Sequence, residues 1–360
     1  MANSDLTAAG GRDPFAGRIP ISVITGFLGS GKTTLLKKLL RHPGMNNAAV
    51  IVNEFGEESI DHELLETSSE RTTLLDNGCL CCTVRTDLQE TLRDILTKRL
   101  HGEVIQFDRV FVETTGLADP APVVQTLASD SLLADKFRLD CVVTLVDAVN
   151  GLQQLDTLNE PLKQAAIADR LLLSKTDLAQ PEQVTALRER LAAINPQAML
   201  IEVVQGEVDP ALLIDVGLTT RNVSADKLSR WIGPLAAPAG SGAKRGLHPH
   251  AGHSSGIQSF CLWFDRPFTW STFETCMTVL TSLRGPDLLR VKGLVNVEGE
   301  AGPVVVQGVQ HIFHPPARLP AWSDEDRRSR IVFITRGIDR ESIENLFRAV
   351  GGLGSVKAAS

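Results

Sequence analysis

The octapeptide GFLGSGKT, residues 26 to 33, constrains this chain more than any other stretch. It satisfies G-x-x-x-x-G-K-[ST] at every fixed position, with Gly26, Gly31, Lys32 and Thr33 in the fixed places. The apolar run ISVIT precedes it, and Leu35, Leu36, Leu39 and Leu40 follow at helical spacing, opposite Lys37, Lys38 and Arg41. A buried strand, a tight turn and an amphipathic helix are therefore predicted in that order. Glycines let backbone amides turn inward around phosphate oxygens, and the start of the following helix adds partial positive charge. In such a loop Gly26, Gly29, Ser30, Gly31 and Thr34 frame the phosphates, with Lys32 along the β- and γ-phosphates. The Thr33 hydroxyl helps to hold Mg2+. A chance glycine turn is the rival reading, and the flanking strand and helix argue against it.

Further short apolar runs follow: AAVIVN at 48 to 53, RVFVE at 109 to 113, CVVTLV at 141 to 146, RLLLS at 170 to 174 and MLIEVV at 199 to 204. Each is apolar at nearly every position and separated from the next by helical patterning, as expected of strands covered on both faces. The expected fold class is α/β, a P-loop NTPase with a doubly wound, mostly parallel sheet, plus a smaller α+β C-terminal domain. Residues 1 to 18 are small and polar and are expected to be disordered. The nucleotide domain is assigned to 19 to 232, a Gly-, Pro- and Ala-rich linker to 233 to 256, and the second domain to 257 to 350. In that domain GIQSFCLWF, LLRVKGLVNVEG, PVVVQGVQHIFH and RIVFITR read as strands, and TWSTFETCMTVLTSL and RESIENLFRAV as helices.

At 360 residues the chain has room for two cores, and its 43% hydrophobic and 22% charged content needs no staples. A net charge of −7 without a long basic run offers no footprint for nucleic acid. With no apolar stretch long enough to span a bilayer and no leader-like start, no membrane partner and a cytoplasmic location are expected.

The base is addressed by LLLSKTDL, 171 to 178, just after a predicted strand. Asp177 is placed to accept two hydrogen bonds from guanine, a donor pair that adenine lacks, which points to GTP. Lys175 would cover the base with its stem, and Ser174 stands where asparagine is usual in such tetrads. A solvated SKTD loop is the bland alternative. Glu113, in FVETTG, either helps to hold magnesium and orient the attacking water or caps a helix, and the Gly116 amide is placed to meet a γ-phosphate. Asp147, in TLVDAVN, reads as structural, as do His311 and His314.

DNGCLCCTVR, 76 to 85, sets three of six cysteines within four positions, in what reads as a glycine-rich, polar-flanked loop. Cys81 and Cys82 are adjacent, which disfavours a strain-free bridge between them. In a reducing compartment such a cluster is a metal site or a reactive pair more often than a disulfide. Thiolates suit zinc, and three leave a fourth position for a carboxylate, imidazole, water or client group. Thr86 and Gln89 form a plausible capping box for a helix whose apolar face is Leu88, Leu92, Ile95 and Leu96, and its N-terminal field would favour thiolates upstream.

Taken in order, GFLGSGKTTLL, VNEFGE, NGCLCC, ETTGLADP, LVDA and SKTDL resemble the CobW family of P-loop GTPases, and the likeness extends into LLRVKGLVNVEG and VVVQGVQHIFH. The resemblance implies slow GTP hydrolysis and metal binding at Cys79, Cys81 and Cys82. The metal implied is Zn2+, with Co2+ or Fe2+ in some members. A client metalloprotein that receives the ion is implied too, and a homodimer is left open because related GTPases often dimerise. It also makes Glu57 a candidate metal or switch ligand, with Glu54 a weaker one. Some relatives carry a further carboxylate just before NEFGE, where this chain has Val52, so a secondary site there is not expected. His248, His250 and His253 match histidine-bearing linkers of the family, presumed to scavenge metal, or are simply linker. Two rivals stay open: a P-loop kinase or ATPase with structural cysteines, and a nucleotide-gated metal store without catalysis.

Overall fold

The computed structural model describes residues 17–45, 47–53, 72–74, 80–84, 87–217, 225–233 and 256–351. Residues 1–16 of the N-terminus expected to be disordered, the segment carrying Glu54 and Glu57, Cys79, Thr86 and the three linker histidines lie outside the described residues. The chain divides into two compact units, one over residues 18–217 and one containing residues 225–233 and those from 260 on.

In the first unit, β1 (Ile19–Gly26), α1 (Lys32–Arg41), β2 (Ala48–Asn53), β3 (Thr72–Leu74), β4 (Leu80–Val84), α2 (Leu88–His101) and β5 (Arg109–Thr114) come first. Then follow α3 (Ala121–Ser129), α4 (Ser131–Lys136), β6 (Phe137–Asp147), α5 (Gly151–Thr157), α6 (Asn159–Ile167), β7 (Arg170–Ser174), α7 (Pro181–Ile194) and β8 (Met199–Val203). The strands form one sheet in the order β3-β4-β2-β5-β1-β6-β7-β8, parallel throughout except for β3 against β4. Strand positions alternate between faces. Thus Val143 and Leu145 of β6 join Leu35, Leu36 and Leu39 of α1 in one core, while Thr144 between them donates to the Gln164 carbonyl in α6 on the other side. The sheet is doubly wound, and β1 lies at its centre, flanked by β5 and β6.

Two strands of this unit, β3 and β4, were not anticipated. Leu80–Val84 forms β4, hydrogen-bonded to both β2 and β3, so Cys81 and Cys82 stand in a strand and not in a glycine-rich loop. The run LCCTV carries β-compatible residues throughout, a signal outweighed in the sequence by the thiols and the preceding glycine. The expected helix after it is present, with Leu88, Leu92, Ile95 and Leu96 buried. Its cap is Asp87, whose carboxylate accepts from the Gln89 amide at 2.8 Å. The Gln89 side chain, assigned to a capping box with Thr86, instead donates to Asp130 at 2.7 Å.

The described part of the second unit begins with α8 (Ala225–Ile232), which falls within the 19 to 232 expected for the nucleotide domain but groups with the C-terminal residues. It continues with β9 (Ile257–Phe264), α9 (Trp270–Arg284), β10 (Arg290–Val295), β11 (Val304–Val309), β12 (Ile312–Phe313), β13 (Ala317–Arg318), β14 (Ser329–Arg336) and α10 (Arg340–Gly351). The sheet order is β12-β11-β10-β14-β9, with β13 also on β11. Leu262, Phe264, Ile331 and Phe333 pack with Phe273 of α9 and Phe347 of α10. The alternate positions Cys261, Trp263 and Val332 pack with Leu228, Trp231 and Ile232 of α8. Period-two alternation thus covers both faces, and α8 belongs here because its apolar stripe fills the second face.

Candidate functional site

The carboxyl end of β1 turns directly into α1 through residues 27–31. Three glycines take the positive φ that this turn demands: Gly26 at 142°, Gly29 at 72° and Gly31 at 94°. At Gly26 a side chain is excluded twice over, because a Cβ would sit 2.4 Å from the Leu145 carbonyl oxygen of the neighbouring strand. Lys32, the first residue of α1, curls back so that its ammonium donates to the carbonyls of Gly26 at 2.8 Å and Phe27 at 3.2 Å. That holds a positive charge across the loop. The Ser30 hydroxyl is buried and has no hydrogen-bond partner among the described residues, as suits an atom lining a phosphate cradle. Thr34 is exposed on the first turn of α1.

Thr33 and Glu113 meet: the threonine hydroxyl donates to Oε1 of the glutamate at 3.1 Å, from the start of α1 to the end of β5. A hydroxyl and a buried carboxylate side by side are hard oxygen donors of the kind magnesium takes, so the residues present fit that ion. Glu113 is not a helix cap. It lies within β5, and the N-cap of α3 is Pro120, with Asp119 just before it accepting from the Ala121 amide at 3.0 Å. The turn after β5 is closed by Ala118 N–H donating to the Thr115 carbonyl at 3.1 Å, and Gly116 packs on the loop residue Leu28. A Cβ on Gly116 would lie 2.6 Å from the Leu28 nitrogen, so only glycine allows this approach.

Ser174, at the end of β7, faces the phosphate loop. Its hydroxyl donates to the Ser30 carbonyl at 2.7 Å and reaches the Val146 carbonyl at 3.4 Å. Its donor is thereby committed to the backbone. Lys175 adopts a left-handed φ of 59° and donates to Asp147 at 2.8 Å. Asp147 also accepts from the Val149 amide at 2.8 Å and the Asn150 side chain at 3.0 Å. Burial raises the Asp147 pKa, but the bonds from Lys175, Asn150 and Val149 outweigh it and hold the carboxyl below its usual range. Asp147 therefore does the structural work expected of it, and its partner is Lys175 of the SKTD stretch. Asp177 is exposed in the turn that Leu178 N–H closes on the Lys175 carbonyl at 3.0 Å.

The backbones of Cys81 and Cys82 lie in β4, beside Val50 and Ile51 of β2. Among the described residues no group of three or more His, Cys, Asp or Glu side chains is placed to hold a metal. Cys141, Cys261 and Cys276 form no disulfide among the described residues and are buried in cores. Burial pushes the Cys261 thiol up to about 12 and that of Cys276 up to about 11, which makes both poor nucleophiles and poor ligands. Sequence reasoning passed over two further polar residues. Buried Asp130 joins Gln89 and Arg93 of α2 to the amides of Leu132 and Leu133, and Gln164 of α6 binds the Gly116 and Ala118 carbonyls. Neither falls in a motif, and their only signal was polarity amid apolar neighbours.

A glycine turn that leaves the middle strand of a parallel sheet, with a lysine across it and an oxygen pair below, defines a P-loop nucleotide-binding protein. Residues 20–202 match the model "CobW/HypB/UreG, nucleotide-binding domain", and residues 257–351 match "Cobalamin synthesis protein cobW C-terminal domain". The chain belongs to the CobW family. It is 35% identical over 331 residues to the zinc chaperone YjiA of Escherichia coli, covering 91% of this chain and 98% of that protein. Zinc-regulated GTPase metalloprotein activator 1 of Saccharomyces cerevisiae is 29% identical over 365 residues, covering 92% of this chain and 83% of that protein. The crystal structure of Zn(II)-bound YjiA GTPase from E. coli superposes with a TM-score of 0.72 at 34% identity, covering 94% and 99% of the two chains. Among the described residues no helix is long and apolar enough to cross a membrane.

Proposed function

We propose that the chain is a GTPase that binds zinc at Cys79, Cys81 and Cys82 while it holds GTP, and releases it to a client metalloprotein after hydrolysis. The observation that carries this reading is a row across the first sheet. Cys82 pairs with Ile51, Ile51 with Val112, and Val112 with Val23, three residues before Gly26. Three steps of about 4.8 Å put the cysteine strand roughly 14 Å from the phosphate-loop strand, inside one hydrogen-bonded sheet. The loops after β1 and β5 leave the same sheet, so a nucleotide-dependent shift in either has a short, stiff route to β4. The names of the relatives support the zinc and GTP parts of the reading.

In this reading the loop amides and Lys32 bind the phosphates, and Asp177 selects guanine. The Gly116 amide meets the γ-phosphate, and Glu113 orients the attacking water. Thr33 and Glu113 would hold magnesium, which supplies charge neutralisation on the phosphate oxygens. The cysteines take the soft cation, with Glu57 a candidate fourth ligand and client groups the natural acceptors.

Zinc competition titrations with a GTP analogue, with GDP and without nucleotide test the coupling, on wild type and on a Cys81→Ala, Cys82→Ala variant. High affinity is expected only for wild type with the triphosphate, and linkage requires zinc to tighten GTP binding by the same factor. Equal zinc affinity in all nucleotide states would refute the coupling. Phosphate release measured with and without zinc separates this reading from a non-catalytic store, and ATP competing as well as GTP would remove the role of Asp177.

A further inference from the structure

Gln164 is an amide where an aliphatic residue is the ordinary choice. It lies in α6 and is 1% exposed. Its Nε2 group donates to the carbonyl oxygens of both Gly116 and Ala118, each at 3.1 Å. Two acceptors at one end of the amide settle which atom is nitrogen, since an oxygen there would face two carbonyls. The backbone carbonyl of Gln164 accepts from Thr144 in β6 at 2.8 Å, which anchors this turn of the helix to the sheet. Its Oε1 is buried without a hydrogen-bond partner among the described residues. Burying an amide with half its capacity unmet is unfavourable, so the two bonds it does make need a function.

Both bonds go to one turn, Thr115 to Ala118, whose opposite side rests on Leu28 of the phosphate loop. The turn is held between the P-loop and α6. Because a trans peptide is planar, fixing the Gly116 carbonyl toward Gln164 also fixes the Leu117 N–H in the opposite direction, away from α6. Holding the Ala118 carbonyl as well prevents the turn from rotating about that one bond. Gln164 thus fixes the Gly116–Leu117 and Ala118–Asp119 peptide planes directly, and the turn it holds is closed by the Ala118 N–H on the Thr115 carbonyl, whose peptide carries the N–H of Gly116, the residue placed to sense the terminal phosphate.

We propose that Gln164 is a positioning residue of the nucleotide reaction: its side-chain amide clamps the Thr115–Ala118 turn against the phosphate loop and thereby distinguishes triphosphate from diphosphate. The inference rests on the reading of the site as a nucleoside triphosphatase. It assigns the diphosphate contacts to the loop after β1 and the triphosphate contact to the turn that Gln164 holds.

The test uses the full chain with Gln164→Leu, which keeps the bulk and removes both donors, and Gln164→Glu, which offers only acceptors at neutral pH. For Gln164→Leu, GDP affinity should stay within about twofold, while affinity for a non-hydrolysable GTP analogue and kcat fall about tenfold to a hundredfold, the scale of a sub-ångström misplacement at a reacting centre. For Gln164→Glu, kcat should recover as pH is lowered from about 8 to about 6, because a buried carboxyl facing carbonyls becomes protonated and regains a donor. Equal losses of GDP and analogue affinity would overturn the proposal as mere scaffolding, as would a folded Gln164→Leu with wild-type kcat. Should Gln164→Leu fail to fold, a Gln164→Glu profile that parallels the wild type overturns it equally. If wild type instead prefers another base, the guanine reading fails while this one stands, since its readout is the triphosphate-to-diphosphate ratio of whichever nucleotide binds.

Discussion

Replacing Ser174 by alanine separates two roles for the residue that stands where such tetrads usually carry asparagine. The hydroxyl is buried, donates to the Ser30 carbonyl at 2.7 Å, and leaves that carbonyl orphaned when removed. A neutral hydrogen bond contributes about 1 kcal/mol net, and a buried group left unsatisfied costs about 1–3 kcal/mol. The Ser30–Gly31 peptide is planar, so the carbonyl held by Ser174 turns the Gly31 N–H the other way, into the phosphate cradle. Without the tether the free loop samples other orientations, and nucleotide binding must restore this one. The expected result is affinity lower by about 5- to 150-fold, the equivalent of that energy, and lower equally for GTP and GDP. Discrimination against ATP and ITP should not change. Titrations with fluorescent GTP and GDP, and competition by ATP and ITP, measure both quantities. A Ser174→Ala protein with wild-type phosphate affinity but weakened guanine selectivity would show that the hydroxyl reads the base, and the tether argument would fall.

Gly116→Ala places a Cβ 2.6 Å from the Leu28 nitrogen, so the two loops must separate by nearly 1 Å. Phosphate release should slow about a hundredfold, and an unchanged rate would contradict the close packing. Asp147 has a folded-state pKa below its ordinary value of 3.8, so its contribution to stability is present above that value and is lost as pH falls through the folded one. Acid unfolding curves of Asp147→Asn and Lys175→Met should both be flatter than wild type below about pH 4, and parallel curves would deny the pairing. In the second unit, Phe347 is fully buried among Phe264, Phe268, Phe273 and Phe333, with centroids 5.0 to 6.5 Å away. Phe347→Ala should cost about 3–5 kcal/mol in denaturant unfolding of that unit, and a loss below about 1 kcal/mol would mean the cluster relaxes around the gap.

Local pattern made much of this protein legible. The strand, turn and helix around Gly26 to Thr33 follow from apolar runs and glycine spacing, and so do β2, β5, β7 and the apolar face of α2, because each is set by residues within a few positions of one another. The first half of β6 was missed: Phe137 to Asp140 gains its strand character by pairing with the start of β1, a partner about 120 residues earlier in the chain. The strand nature of Cys81 and Cys82 was hidden for the same reason, since β2 and β3 supply its hydrogen bonds.

What the sequence determined by itself is the inventory of chemistry: a phosphate loop, an SKTD tetrad after a strand, a carboxylate at a strand end and a trio of thiols, each declared by residue type at fixed spacing. Only the tertiary structure decided which backbone each polar group serves. Ser174 turned out to hold the phosphate loop, Lys175 to pair with Asp147, Gln164 to grip the Gly116 turn, and α8 to pack on the second sheet. These are contacts between residues tens to more than a hundred positions apart. Hydrogen bonds and apolar packing between such residues depend on where the sheet brings them, which no local pattern encodes.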